Sequence, residues 1–196
     1  MIVLDMEMTG VDLQKHAIIS IGALEFENPS NQFYGECRPW EGAEIADEAL
    51  KINGFTRAQL ANQQKSHRQL IEEFLAWTKP IKNKTIAGHN VWFDTMFLKA
   101  ALQKEGLLKE KEGFFWPFGH RYVDSHALAY EHFARAGKLI LKKEGTSDIN
   151  LDKILTFLGI QVRGSTHNAL EDAQLTAEVL SRFIYGKNLL PQYKNN

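Results

Sequence analysis

Residues 1–10 read M-I-V-L-D-M-E-M-T-G, and this stretch decides the fold. Ile2–Met8 is predicted to be the opening β-strand. Side chains in a strand alternate between faces, so Asp5 and Glu7 point one way while Leu4, Met6 and Met8 point the other. Two neighbouring carboxylates on a core strand repel each other and resist desolvation. A divalent cation between them removes that cost, and Mg²⁺ and Mn²⁺ prefer oxygen ligands. The alternative is an exposed strand end, because a lone D-x-E arises by chance in a chain of this size.

The pattern beyond Gly10 begins with more strands. Ala17–Phe26 (AIISIGALEF) and Gln32–Arg38 (QFYGECR) are predicted as the second and third, joined through the turn-rich E-N-P-S-N. Short connections imply an antiparallel meander. Helices are then predicted at Asp47–Ile52, Thr56–Asn62 and His67–Lys79, the last with apolar residues at helical spacing and Pro80 behind it. Thr85–Gly88 is a fourth strand leading into helix Val91–Gln103, with Asn90 as its expected N-cap. Lys104–Lys111 and Gly113–Gly119 form a long connector. Arg121–Asp124 is a fifth strand, followed by helices Ser125–Ala136, Leu151–Leu158 and Ala169–Tyr185, with a basic loop at Lys138–Asp148. Strands first, then alternating helix and strand, predict a three-layer α/β fold over a mixed five-stranded sheet. No internal repeat or domain boundary is visible, so residues 1–196 are expected to form a single domain.

Composition bounds the function. Lys and Arg total 23 against 24 Asp and Glu, a net charge of −1, so no bulk basic field announces a polyanionic partner. A polyanion would have to be held by local basic residues and metal ions. The single cysteine, Cys37, excludes an intrachain disulfide framework and a C-x-x-C zinc site. No apolar run reaches spanning length and no signal-peptide pattern precedes the first strand, so no membrane partner and a cytoplasmic location are expected.

Two further motifs carry acids. A-G-H-N-V-W-F-D (87–94) places Asn90 and Asp94 four residues apart at a helix start, although an Asp there also complements the helix dipole. T-H-N-A-L-E-D-A (166–173) places His167 just before the last helix, Asn168 at its cap and Asp172 in its early turns, a pattern that an ordinary capped helix shares. Each is weak alone. Their combination and order resemble the DEDDh 3′–5′ exonucleases, which include the proofreading subunit of bacterial DNA polymerase III, ribonuclease T and oligoribonuclease. The resemblance runs from Ile2 to about Phe183.

That resemblance implies a ribonuclease H-like fold and hydrolysis with two divalent metal ions, Mg²⁺ or Mn²⁺. It implies that Asp5, Glu7, Asp94 and Asp172 are the metal ligands, with Asp5 shared between both ions, and that His167 is the general base. Asn168 stands where the tyrosine branch of these enzymes carries Tyr, which indicates the histidine branch. The expected products are nucleoside 5′-monophosphates from the 3′ ends of DNA, RNA or both. Met8, Thr9, Asn90 and Phe93 are candidate contacts to the terminal nucleotide, and Met8 and Phe93 are equally readable as core.

The segments 38–55, with A-L-K-I-N-G, and 114–129, F-F-W-P-F-G-H-R-Y-V-D-S-H-A-L-A, resemble ribonuclease T. Trp116 and Phe118 are candidate base-stacking residues, or else they seal a hydrophobic corner. A free-standing, ribonuclease T-like enzyme acting on single-stranded or 3′-overhanging nucleic acid, and pairing as a homodimer, is the first expectation. A polymerase-associated proofreading exonuclease and a non-catalytic nucleic-acid-binding module on the same fold are the alternatives. Lys82, Lys84, Lys138, Lys142, Lys143 and Arg163 are scattered basic candidates.

Overall fold

The structure, a computed structural model, describes residues 1–108, 117–161, 164 and 166–193. Five strands form one mixed sheet: β1 (Ile2–Met8), β2 (Ile18–Glu25), β3 (Asn28–Glu36), β4 (Ile86–Gly88) and β5 (Tyr122–Asp124). Their spatial order is β3-β2-β1-β4-β5. The β1–β2 and β2–β3 pairs are antiparallel, and β1–β4 and β4–β5 are parallel. This is the predicted three-layer α/β/α architecture over a mixed sheet.

The alternation of β1 builds both layers. Ile2, Leu4, Met6 and Met8 enter a core with α3 (His67–Thr78) and α4 (Trp92–Lys104), where Leu70, Ile71, Phe74, Phe97 and Leu98 meet them. Met1 and Val3 face the other way, onto Ala173, Ala177 and Leu180 of α7 (Ala169–Tyr185). A third cluster joins α5 (Ser125–Arg135), α6 (Leu151–Leu158) and the outer face of α7. Helix α7 is therefore covered on several sides, and even Glu178 is buried. Its carboxylate accepts from Arg182 Nε at 2.8 Å and from the backbone N–H groups of Leu189 and Leu190 at 2.8 and 2.9 Å. A buried charge needs such partners.

Several boundaries differ from the sequence reading, and three of them have a clear physical reason. Strand β3 starts at Asn28, so E-N-P-S-N is mostly strand, and only Phe26 and Glu27 make the turn. Pro29 is tolerated because β3 is the sheet edge, where a missing N–H costs no ladder bond. Thr56 caps α2 (Arg57–Asn62) from outside, in a capping box with Gln59. Asn90 is not the N-cap of α4: Val91 holds that position, and Asn90 adopts a left-handed backbone, φ 52°. Short polar side chains tolerate that conformation better than most.

One glycine sets the distance between layers. Gly22 is the cross-strand partner of Asp5. A β-carbon there would lie 2.1 Å from the Ala169 carbonyl carbon and the Leu170 nitrogen, so the N-terminus of α7 rests directly on the sheet. Gly22→Ala is expected to cost about 3 kcal/mol, the upper end of ordinary overpacking, measured by denaturant unfolding. Cys37 is fully buried, its thiol 3.4 Å from the Ile18 carbonyl, and burial pushes it up to about 12. Iodoacetamide at about pH 8 should leave it unmodified in the folded protein and label it in urea.

Candidate active site

Strand β1 outruns its parallel neighbour. Only Ile2 and Val3 pair with Ile86 and Ala87, after which the chain leaves β4 and turns into α4. The free edge of β1 is taken over by α4, whose Asp94 Oδ1 accepts the Met6 N–H at 3.0 Å. A carboxylate thus stands where a strand would have continued, at the C-terminal ends of the parallel strands. Open α/β sheets place ligand sites there.

The turn that delivers Asp94 is held by Asp124, at the end of β5. Its carboxylate accepts from the N–H groups of Asn90 at 3.1 Å, Val91 at 3.0 Å and His126 at 2.8 Å. One side chain therefore caps α5 and fixes the left-handed turn before α4. In the sequence Asp124 reads as a strand end, and the D-S pair before a helical run is the sign of its capping half.

On the other face, α7 brings its own acid. Asn168 caps the helix through bonds from Leu170 and Glu171 N–H, both at 3.1 Å. Asp172 is buried in the first turns and lies 3.5 Å from His167 Nδ1. The His167 backbone N–H donates to the Ile52 carbonyl at 3.1 Å, tying this loop to α1 (Asp47–Asn53). Gly54, with φ 75°, ends α1 in a left-handed cap whose missing side chain leaves room for Thr166. Asn53, just before it, is buried and donates to the Met8 carbonyl at 3.2 Å, anchoring α1 to the end of β1.

Glu7, His167 and Asp172 each offer a ligand atom within 4.8 Å of the others. Glu7 also lines a cleft of about 770 Å³, whose walls include Asp5, Met8, His89, Asn90, Phe93 and Asp94. Asp94 is buried, and its carboxyl lies well above the usual carboxylate range. Burial is the main cause. The N–H bonds it accepts oppose that rise, while Glu7 and Asp124 nearby add to it. The donor set is carboxylate oxygen plus one imidazole, concentrated where burial penalises uncompensated negative charge. Hard divalent cations fit it, since a cation beside such acids favours their ionised form.

The remaining sequence candidates divide. Met8 lies in the core and also lines the cleft. Asn90 and Phe93 line the cleft as well. Thr9 does not present its hydroxyl to a ligand: it is 0% exposed, donates to the Glu44 carbonyl at 2.7 Å and accepts from Ala17 N–H at 2.9 Å. Its own N–H is bound to the Ala17 carbonyl. Phe118 is no stacking platform, being packed in the core with its ring centroid 6.0 Å from that of Phe74. Trp116 and Arg163 lie outside the described residues. Lys84 is a helix-end residue, with Nζ on the carbonyls of Thr78, Lys79 and Ile81 behind α3. The exposed residues Val11, Ile52 and Trp92 on the cleft were not anticipated.

The exonuclease family model of the RNase T group matches residues 2–180. The chain belongs to this exonuclease family. A DNA polymerase III PolC-type protein of Thermotoga petrophila is 32% identical over 185 residues, which is 93% of this chain and 12% of that protein. The chain thus spans about an eighth of the PolC-type relatives it matches. Ribonuclease T of Yersinia pestis is 27% identical over 195 residues, covering 93% of this chain and 85% of the relative. Among solved structures, the nuclease domain of 3′hExo, a DEDDh family member bound to rAMP, superposes with a TM-score of 0.68 at 18% identity, over 96% of this chain and 93% of that one. Exonuclease I of E. coli in complex with a dA16 oligonucleotide gives 0.72 at 15% identity, over 95% of this chain and 40% of that one. These structures establish the ribonuclease H-like fold of the exonuclease domain.

Asp124→Ala is expected to destabilise the protein by about 2 kcal/mol, through a lost cap and the orphaned Asn90 and Val91 N–H groups. Nuclease activity should fall with it, because Asp94 is carried on that turn. Urea unfolding and activity measured on the same preparation check both effects.

Proposed function

We propose that the chain is a metal-dependent 3′–5′ exonuclease that releases nucleoside 5′-monophosphates from single-stranded or 3′-overhanging DNA, RNA or both. The observation that carries this reading is the meeting of Glu7, His167 and Asp172, with Glu7 also lining a cleft beside Asp5 and Asp94. In this reading Asp5, Glu7, Asp94 and Asp172 hold two Mg²⁺ or Mn²⁺ ions, with Asp5 serving both. When bound, the ions supply positive charge to the attacking water, the phosphate and the leaving oxygen.

The chain's own residues do the rest. His167 takes the proton of the attacking water. Its Nδ1 lies 3.5 Å from Asp172, which supports Nε2 as the accepting atom. Asp172 orients the imidazole and stabilises its charged form, as a carboxylate does beside a catalytic histidine. Met8, Asn90 and Phe93 form the walls against which the terminal nucleotide rests.

The finer parts of the proposal rest on separate supports. A free-standing, single-domain enzyme accords with the ribonuclease T relative, 85% of whose length is covered. A polymerase-associated proofreading exonuclease is the second reading, favoured by the 32% identity to the PolC-type protein. No helix among the described residues is long and apolar enough to cross a membrane, and the reduced, buried Cys37 accords with a cytoplasmic location. Gel filtration tests the homodimer that the resemblance to ribonuclease T implies.

A 5′-labelled oligonucleotide incubated with Mg²⁺ or Mn²⁺ should shorten stepwise, and EDTA should stop it. Stable retention without shortening would mean a binding module instead. Asp5→Asn should abolish shortening while leaving the unfolding midpoint near that of wild type; activity within a few-fold would refute its role as shared ligand. His167→Ala should lower kcat by about 10²–10⁴-fold and flatten the acidic side of the pH–rate profile, with Mn²⁺ affinity little changed.

A further inference from the structure

The cleft has an apolar outer lip. Val11, 78% exposed, and Ile52, 53% exposed, stand beside it on the β1–β2 loop and α1. Trp92, 60% exposed, stands on α4 as its first residue. Large apolar side chains gathered at a cleft mouth mark a binding surface, and an indole is the costliest of them to leave in water. The Trp92 ring is held edge-on by Phe93, with centroids 5.6 Å apart and planes at 73°, and Phe93 in turn packs on Phe97 at 5.1 Å. Trp92 is therefore a supported ring, two residues before Asp94 and outward of it.

We infer that Trp92 is a stacking platform for the base of the penultimate nucleotide, the one immediately upstream of the residue being removed. This inference rests on the exonuclease reading above. The position follows from depth. Phe93 and Met8 are partly or fully buried and line the inner wall, beside the acids where the terminal phosphodiester must lie. Trp92, adjacent to Phe93 but exposed, meets whatever lies one step further out. Every base has a π face, so a stacking residue there accepts DNA and RNA alike. A base inside a duplex has both faces covered by its neighbours, so the indole favours a penultimate base already freed from that stack. Trp92 accordingly makes the enzyme prefer 3′ ends that are already single-stranded over at least two nucleotides.

The test pairs a protein change with a substrate change. Two 5′-labelled single strands are compared, identical except that one is abasic at the penultimate position. With wild type, the abasic strand should show a KM raised about tenfold, with kcat little affected. Trp92→Ala should raise KM on the intact strand about tenfold, and the two losses should not add, since each removes the same contact. Trp92→Phe should restore most of the difference. Additive losses, an effect on kcat alone, or unchanged KM in Trp92→Ala would each overturn the inference. An unfolding midpoint lowered in Trp92→Ala, together with equal loss on both strands, would also overturn it, in favour of a packing role. Failure of wild type to shorten either strand would refute the exonuclease reading itself, and the inference with it.

Discussion

Everything at the site depends on a backbone group that has lost its neighbour. Where β4 ends, the edge of β1 is left with amide groups that must be paired. Asp94 Oδ1 takes the Met6 N–H at 3.0 Å, substituting a side chain for a strand. That single bond locates α4 relative to β1 and puts an acid of one helix beside the acids of the first strand. It also explains why β4 is short: a longer strand would have covered the edge and left no place for Asp94.

The second constraint is electrostatic. Glu7, Asp94 and Asp172 are all buried, and burial disfavours their charged forms. The Met6 N–H on Asp94 and the His167 imidazole beside Asp172 offset part of this cost. Asp124 accepts from three backbone N–H groups and so is committed to architecture. Asp94, by contrast, is buried beside Glu7, and although the Met6 N–H donates to it, its carboxyl is pushed upward. Acids with the same side chain, a few residues apart in space, are thereby divided between holding the backbone and facing the cleft.

What could be seen in the sequence was local or repeated. Alternation in Ile2–Met8 assigned both faces of β1 correctly, and Asn168 announced the start of α7 because capping involves only neighbours in the chain. The acids of the site were legible because three motifs appear together in order. What escaped was decided by contacts distant in sequence. Thr9 looks like a free hydroxyl until Ala17 and Glu44 claim it. Phe118 looks like a stacking ring until Phe74 covers it. Nothing local marks Trp92 as exposed; only the fold leaves it so. Pro29 reads as a turn because nothing local says that β3 is an edge strand.

The close approach of Ala169 to Gly22 has a consequence for the order in which the protein becomes competent. Asp5 and Glu7 leave the ribosome before Asp172, which follows them by more than 160 residues. Domains acquire their long-range contacts only when the distant segment is present, and such contacts form slowly. Met1 and Val3 have their apolar partners on α7, at Ala173, Ala177 and Leu180. The acid of α7 therefore arrives in the same event that closes the core over β1. Asp5 and Glu7 thus precede their partner acid in synthesis, and the site stays incomplete until the docking of α7 both stabilises the sheet and brings Asp172 to it.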